Sequence, residues 1–455
     1  MDPERIRQLE EIDRKHVWHP FTQMKGWMEE KPLIVERAEG NWLVDVEGKR
    51  YLDAISSLWV TVHGHRVPEI DEAVRAQLDR VAHSTLLGLA SVPSIELAER
   101  LVKIAPPGLT RVFYSDSGST AVEVALKIAY QFCQQQPGGS RKNRFVCFEN
   151  AYHGDTLGSV SVGGIDLFHQ VYRPLLFETL RVPSPYCYRC PLAKSYPSCE
   201  TACLEPLESM LRERADEIVA VVIEPVVQGA AGMLVQPPGF LRRVRELCDR
   251  HGVLLIADEV ATGFGRTGTM FACEREGVVP DLLCIAKGIT GGYLPLAATL
   301  ATEKVFAGFL AEFRDKRTFF HGHTYTGNPL ACAAAIANID LLEKTGLIAT
   351  IDGKAALLAA ALASLAEHPH VGEIRQCGLM VGIELVRDRA TRAEFEYGDR
   401  IGHQVILAAR RRGVILRPLG DVLVLMPPLA ITRDEIALLA RVLRESIDEV
   451  LPARA

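Results

Sequence analysis

From Arg111 onward the chain alternates short apolar runs with amphipathic segments, and this rhythm constrains its fold more than any other feature. Val112-Phe113-Tyr114 leads into a helical pattern from Ala121 to Cys133. The runs Phe145 to Phe148, Val219 to Ile223, Val253 to Ala257 and Leu282 to Ala286 follow, with a helical pattern from Phe240 to His251 between the second and third of them. Runs without polar alternation are strands buried on both faces, so the pattern predicts an α/β fold whose mostly parallel sheet is covered by helices. In such sheets ligands bind beyond the carboxyl ends of the strands, so the residues that close each run are the ones to read for chemistry.

Two of those ends carry reactive groups. Leu282 to Ala286 closes in Lys287, followed by Gly288 and Gly291-Gly292, and Val253 to Ala257 closes in Asp258-Glu259. An amine and a carboxylate delivered to similar strand ends are the pair that pyridoxal phosphate needs: a lysine to hold the cofactor covalently and move protons, and a carboxylate to keep the pyridine nitrogen protonated. Its phosphate needs backbone amides, and Ser115 to Thr120 supplies them where a strand turns into a helix, with Gly118 and Ser119 at the turn. Its ring needs an aromatic face, for which Tyr152 in Ala151-Tyr152-His153-Gly154 is the candidate. Each residue also has a plainer use. Lys287 could be a solvated strand-end lysine, Asp258-Glu259 a turn cap, Ser117 to Thr120 an N-cap box with Glu123, and Tyr152 a core residue. In this order and at these element ends, the four together fit the cofactor chemistry.

Either side of the central pattern the rhythm changes. Leu33 to Glu36, Asn41 to Val46 and Tyr51 to Ala54 alternate in polarity and are separated by Glu39-Gly40 and Glu47-Gly48, which predicts a small antiparallel meander. Beyond Pro329 the chain reads as helix to about Leu365, then as strands Ile374 to Gln376 and Met380 to Val386, a helix from Arg400 to Arg412, strands Val414 to Arg417 and Val422 to Met426, and a last helix beginning near Thr432.

The block Leu254 to Gly268, L-L-I-A-D-E-V-A-T-G-F-G-R-T-G, is similar to the signature of the class-III, fold-type I, pyridoxal-phosphate aminotransferases. The resemblance extends from Asp45-Val46-Glu47-Gly48-Lys49-Arg50-Tyr51-Leu52-Asp53 to the C-terminal part, nearly the whole chain. It implies a large cofactor-binding domain at 70–335 and a smaller α+β domain built from both chain ends, 1–69 and 336–455. It also implies a homodimer with shared sites, in which His323 and Thr324 reach the phosphate of the other subunit's cofactor while Gly322 lies where substrate approaches.

Trp18-His19-Pro20-Phe21-Thr22-Gln23-Met24, Ser56-Ser57-Leu58-Trp59, His63-Gly64-His65, His321-Gly322-His323-Thr324 and Arg417-Pro418-Leu419-Gly420 resemble the biotin-pathway branch of that family. That branch aminates 8-amino-7-oxononanoate to 7,8-diaminononanoate. The resemblance implies an apolar acceptor channel lined by Trp59, Leu58, Phe21 and Trp18, and Arg417 as the fork for the distal carboxylate of the acceptor. Glu224, before Pro225, matches a family glutamate near the cofactor. Members that use S-adenosylmethionine as donor commonly carry two tryptophans where this chain has Leu58-Trp59, and a tyrosine where Phe21 stands. Members with residues like Phe21 and Leu58 include ones that use lysine, so both donors stay open. The other enzymatic reading is a class-III omega-amine or diamine transaminase, or an aminomutase. A non-catalytic scaffold would be expected to lose Lys287 or Asp258, and both are present.

A length of 455 residues suffices for a large core and two domains. A net charge of −6, with no basic run, argues against nucleic acid as a partner and leaves small-molecule substrates. The polar, acidic start Met1-Asp2-Pro3-Glu4-Arg5 lacks a signal peptide's apolar stretch, and no run reaches a membrane span of roughly 18 to 20 apolar residues, so a cytoplasmic protein is expected. Eleven cysteines, several in core runs, fit a reducing compartment. Cys187, Cys190, Cys199 and Cys203 in a Pro-rich loop have a spacing that could bind zinc or an iron–sulfur cluster, or could be plain reduced thiols. The second reading is taken, and no metal is expected.

Overall fold

The computed structural model describes residues 1–136, 138 and 140–452. Its strands in chain order are β1 (Val35–Glu39), β2 (Trp42–Asp45), β3 (Arg50–Asp53), β4 (Leu109–Ser115), β5 (Arg144–Phe148), β6 (Leu180–Val182), β7 (Ile218–Ile223), β8 (Val227–Gln228) and β9 (Leu234–Val235). They continue with β10 (Leu254–Asp258), β11 (Leu282–Ile285), β12 (Ala297–Thr302), β13 (Val371–Cys377), β14 (Met380–Leu385), β15 (Val414–Ile415), β16 (Arg417–Leu419) and β17 (Val422–Leu425).

The apolar runs of the sequence form a seven-stranded sheet in the order β4-β12-β11-β10-β7-β5-β6. Neighbours from β11 to β6 are parallel, while β12 is antiparallel to both β11 and β4. Every residue of β7, β10 and β11 is buried, as strands covered on both faces must be. Each fully buried Leu, Ile or Val contributes roughly 1.5–3 kcal/mol. β12 is absent from the sequence expectation because Ala297-Ala298-Thr299-Leu300-Ala301-Thr302 carries too few large side chains to read as a strand.

The helix Gly118–Gln134 lies across this sheet, burying Ala121, Val122, Ala125, Ile128 and Phe132. It begins at Ser117, whose side chain accepts from the Thr120 amide while the Thr120 side chain bonds back. The capping partner is therefore Thr120 rather than Glu123, whose carboxylate accepts instead from the amides of Gly158 and Ser159. The helix Phe240–His251 ends as expected, at Gly252 with φ 62°, where a residue without a Cβ is unstrained.

β1, β2 and β3 form the expected antiparallel meander, but β3 also pairs in parallel with β15, from the far end of the chain. A second four-stranded sheet runs β13-β14-β17-β16. The single strand expected over Val414 to Arg417 is thus two: β15 joins the N-terminal meander and β16 joins the C-terminal sheet, with Leu416 between them. Pro418 sits in β16, an edge strand, where its missing N–H costs no ladder bond. The helix expected to run from Pro329 to about Leu365 is interrupted at Gly346, φ 60°.

The stretch Leu347–Glu367 is long and apolar enough by composition to cross a membrane, against the expectation that none is. Its apolar character comes largely from alanine, and it consists of one α-helix, Ile351–Leu362, between two 3-10 turns. Ile351, Leu358 and Leu362 of that helix are buried in the protein core. The four loop cysteines line one small cavity, all as free thiols, and burial with neighbouring thiols pushes Cys203 up to about 11. Among the described residues no three His, Cys, Asp or Glu side chains are arranged to hold a metal.

Candidate active site

β7, β10 and β11 end side by side, and beyond their carboxyl ends opens a cleft of about 500 Å³. Lys287 follows β11 at the start of a 3-10 turn, with a left-handed φ of 47°. Its Nζ lies 4.9 Å from the centre of the Trp59 ring. Burial pushes the Lys287 amine below its ordinary value, with Asp258 and then Glu224 acting against that. A larger fraction is therefore neutral, and able to take a proton, than at an exposed lysine.

Asp258 closes β10, with one oxygen 2.7 Å from His153 Nδ1 and the other accepting from the Val260 amide at 3.0 Å. His153 is buried. Burial alone would lower its pKa, but the bonded Asp258 carboxylate outweighs it and the net shift is upward. Its Nε2 has no hydrogen-bond partner among the described residues. Glu224, just past β7, accepts from the amides of Tyr152 (3.0 Å) and Gly229 (2.9 Å). Burial raises it to about 7, with the nearby Asp258 charge adding to the rise and His153 opposing it. One cleft thus holds an amine and two carboxyl groups, of which Glu224 is the one that burial pushes toward its protonated form.

Gly118 and Ser119 line the opposite wall, at the first turn of the helix Gly118–Gln134, where amides have no partner within the helix. A Cβ on Gly118 would come within 2.5 Å of Val260, and one on Gly154 (φ 117°) within 2.8 Å of the Ser119 Cα. Those two glycines let three segments converge on the helix start. Tyr152 bonds through its hydroxyl to Asp155 at 2.7 Å. Its ring meets Phe168 edge-on at 6.3 Å and Phe21 at 6.5 Å.

Arg417 lines the mouth with Phe21, Leu58 and Leu419. Burial lowers its pKa somewhat. No carboxylate among the described residues forms a salt bridge with it, which leaves the fork free for a ligand. Trp18, expected in the acceptor channel, is 88% exposed and stands outside the cleft of its own chain. Gly322, His323 and Thr324 do not line that cleft either. Gly322 and Thr324 are exposed, and His323 Nδ1 lies 2.6 Å from Asp116 at the rim.

The structure therefore brings Lys287, Asp258, Gly118, Ser119, Tyr152, Trp59, Leu58, Phe21 and Arg417 together on one chain. Sequence reasoning missed His153 and Phe168. The only signal for His153 was its place beside Tyr152, and Phe168 carried none.

The turn that delivers Leu58 and Trp59 has an uncommon backbone. Ser56, Ser57, Leu58 and Trp59 have φ of 42°, 41°, 68° and 73°, one left-handed turn without a glycine. Left-handed helical backbone costs roughly 1–2 kcal/mol per L-residue, so its surroundings must hold it.

The family description "Aminotransferase class-III" matches residues 24–447. An adenosylmethionine-8-amino-7-oxononanoate aminotransferase of Nitratidesulfovibrio vulgaris (strain Hildenborough) is 62% identical over 97% of this chain and 82% of its own length. The enzyme of the same name from Aquifex aeolicus is 52% identical over 99% and 98%. Among solved structures, the enzyme of that name from Methanocaldococcus jannaschii superposes with a TM-score of 0.93 at 45% identity, covering 97% of this chain and 99% of that one. An (S)-enantioselective omega-transaminase from Thermomicrobium roseum superposes with a TM-score of 0.93 at 37% identity, covering 98% and 99%.

Proposed function

The chain belongs to the class-III aminotransferases, and from that premise we propose that it transfers an amino group to 8-amino-7-oxononanoate, giving 7,8-diaminononanoate for biotin synthesis, with S-adenosylmethionine or lysine as donor. The observation that carries the acceptor is Arg417, a guanidinium at the cleft mouth without a carboxylate partner, beyond the apolar walls of Trp59, Leu58 and Phe21. The acceptor has a long apolar chain ending in one carboxylate, which suits walls and fork together.

Pyridoxal phosphate is the cofactor this reading requires, and the residues fit it. The helix-start amides of Gly118 and Ser119 suit a phosphate, approached across glycines where a Cβ would clash. Asp258, held by His153, suits a protonated ring nitrogen, and Tyr152 offers a ring face. When bound, the cofactor supplies an electron sink that lets the carbon bearing the amine give up its proton. Lys287 Nζ removes that proton from the donor and returns one to the ketone carbon of the acceptor, so the nitrogen changes owner without net oxidation. Asp258 would keep a proton on the ring nitrogen, and Tyr152 would cover a face of the ring.

We assign the working form as a cytoplasmic homodimer with shared sites, the partner's cleft receiving Thr324 and His323. Gly322, Leu87 and Phe320 support this: Leu87 lies against Gly322, and Phe320 is 81% exposed, so exposed apolar side chains flank a segment whose Gly322 and Thr324 do not line the cleft described above. We divide the chain into a large domain, 70–335, and a small one from 1–69 and 336–455. The pairing of β3 with β15 supports that division.

The test follows the cofactor absorption of the purified protein as S-adenosylmethionine, lysine and simple amines are added separately, then 8-amino-7-oxononanoate. One of the first two should convert the cofactor to its amine form, and the acceptor should restore the original band. A cofactor restored by short keto acids but not by 8-amino-7-oxononanoate would favour the omega-amine transaminase reading, which the likeness to the Thermomicrobium roseum enzyme supports.

A further inference from the structure

The left-handed turn Ser56–Trp59 is held from three sides. The buried Asp53 accepts the Ser57 amide with both oxygens, at 2.9 and 2.7 Å, and the Ser57 hydroxyl at 2.8 Å. His65 Nε2 lies 3.0 Å from the same carboxylate and fixes it. Ser56 Oγ donates to the Met426 carbonyl at 2.6 Å, beyond β17. Arg266, 1% exposed, donates to the carbonyls of Thr61 (2.8 Å) and Pro427 (2.7 Å), closing the far end of the turn onto the segment that carries Asp258.

Of these anchors only Asp53 binds an amide inside the turn. On its outer side the turn presents Trp59 to the cleft, where a Cβ on Gly229 would lie 3.4 Å from the indole and Lys287 Nζ lies 4.9 Å from its centre. Reversing the sign of φ at these residues would re-aim the Leu58 and Trp59 side chains that line the cleft. Lys287, Asp258 and Glu224 stand on other elements and would stay in place.

We propose that Asp53 is a positioning residue for acceptor selection: its carboxylate holds Ser56–Trp59 in the left-handed turn that builds the Leu58–Trp59 wall of the cleft. The identity of the acceptor rests on the functional reading above, while the coupling of Asp53 to the wall does not. A residue that acts in this way affects the long acceptor and spares the chemistry. It is also replaceable by anything that makes left-handed backbone cheap. Glycine at position 57 does so and keeps the amide.

The experiment uses the holoenzyme as Asp53→Asn, Ser57→Gly and the double variant. Asp53→Asn should lower kcat/KM for 8-amino-7-oxononanoate by about 10-fold or more, chiefly through KM. The rate at which a small amine converts the cofactor should stay within about 3-fold. The double variant should return acceptor kcat/KM to within about 3-fold of wild type. With 5-fluorotryptophan incorporated, the ¹⁹F resonance assigned to position 59 by its loss in Trp59→Phe should shift in Asp53→Asn and return in the double variant. If Asp53→Asn does not accumulate folded, Ser57→Val carries the test, since it leaves Asp53 intact while a β-branched residue penalises positive φ. The same selective loss is then expected. Equal loss in both half-reactions, no rescue by glycine, or an unmoved position-59 resonance overturns the proposal. A wild-type enzyme that fails to aminate 8-amino-7-oxononanoate overturns the functional reading instead, and the fluorine resonance, which needs no substrate, then decides the role of Asp53.

Discussion

Asp258 can act as a ring-nitrogen partner only as a charged group, because a neutral amide of the same shape cannot stabilise a pyridinium. Asp258→Asn should therefore keep cofactor bound and lose about 10²-fold or more in the proton-transfer step, read by single-turnover absorbance. Full activity in a cofactor-saturated variant would remove the carboxylate from that role. Glu224 offers a separate test without cofactor. Its folded pKa of about 7 stands above the ordinary carboxyl value of 4.5, so the folded state holds the proton more tightly than the unfolded chain. The stability this gives is fully present below pH 4.5 and is lost as pH rises through about 7, a change on the order of 3 kcal/mol. The upward shift of His153 has the same sign but begins only above its ordinary 6.5. Between pH 4.5 and 6 the fall in melting temperature of the cofactor-free protein is shared by Glu224 and Glu259, which burial raises to about 6, and Glu224→Gln should make it shallower. An unchanged slope would mean that the carboxyl is not proton-holding in the folded state.

Strands and helices carry the next set of consequences, and Arg417 depends on one of them. It opens β16, whose pairing with β17 sets the backbone from which Arg417 lines the cleft. Arg417→Ala should raise the KM for 8-amino-7-oxononanoate and cost roughly 1.5–3 kcal/mol in kcat/KM, with less effect on the donor half-reaction. The acceptor methyl ester, lacking the carboxylate, should lose little, and equal losses for acid and ester would make Arg417 structural. The elements that sequence reading recovered, such as β7, β10, β11 and the helix Phe240–His251, announce themselves locally through unbroken apolar runs and a terminal glycine. What it missed depends on distant partners. Nothing near Leu416 says that Val414–Ile415 and Arg417–Leu419 belong to different sheets, because the partners that decide it are β3 and β17. The left-handed turn is equally silent, since four residues without glycine read as ordinary backbone. Asp258 and Lys287 were legible because strand ends reveal them. His153 was not, because its meaning is a contact with a residue far along the chain.

At the scale of the whole molecule, the prediction concerns two chains. If Thr324 serves the partner's cleft, Lys287→Ala and Thr324→Ala are each inactive alone, yet a mixed dimer has one site with both residues intact. Mixing the two, with heterodimers counted by native mass spectrometry, should recover some activity. Heterodimers that recover none, or a fully active Thr324→Ala protein, would remove the shared-site reading. The pairing of β3 with β15 also sets a timetable for synthesis. The first three strands leave the ribosome with the β3 edge uncovered, and the strand that covers it is made only at Val414–Ile415. At roughly 5–20 residues per second that edge waits on the order of tens of seconds. Throughout that interval the β3 edge of the nascent meander is a template for stray strands, with Arg50 the exposed charge on that strand. A ribosome stalled shortly before residue 414 should therefore hold a chain that chaperones bind through its first fifty or so residues, and release by a few dozen further codons should end that binding.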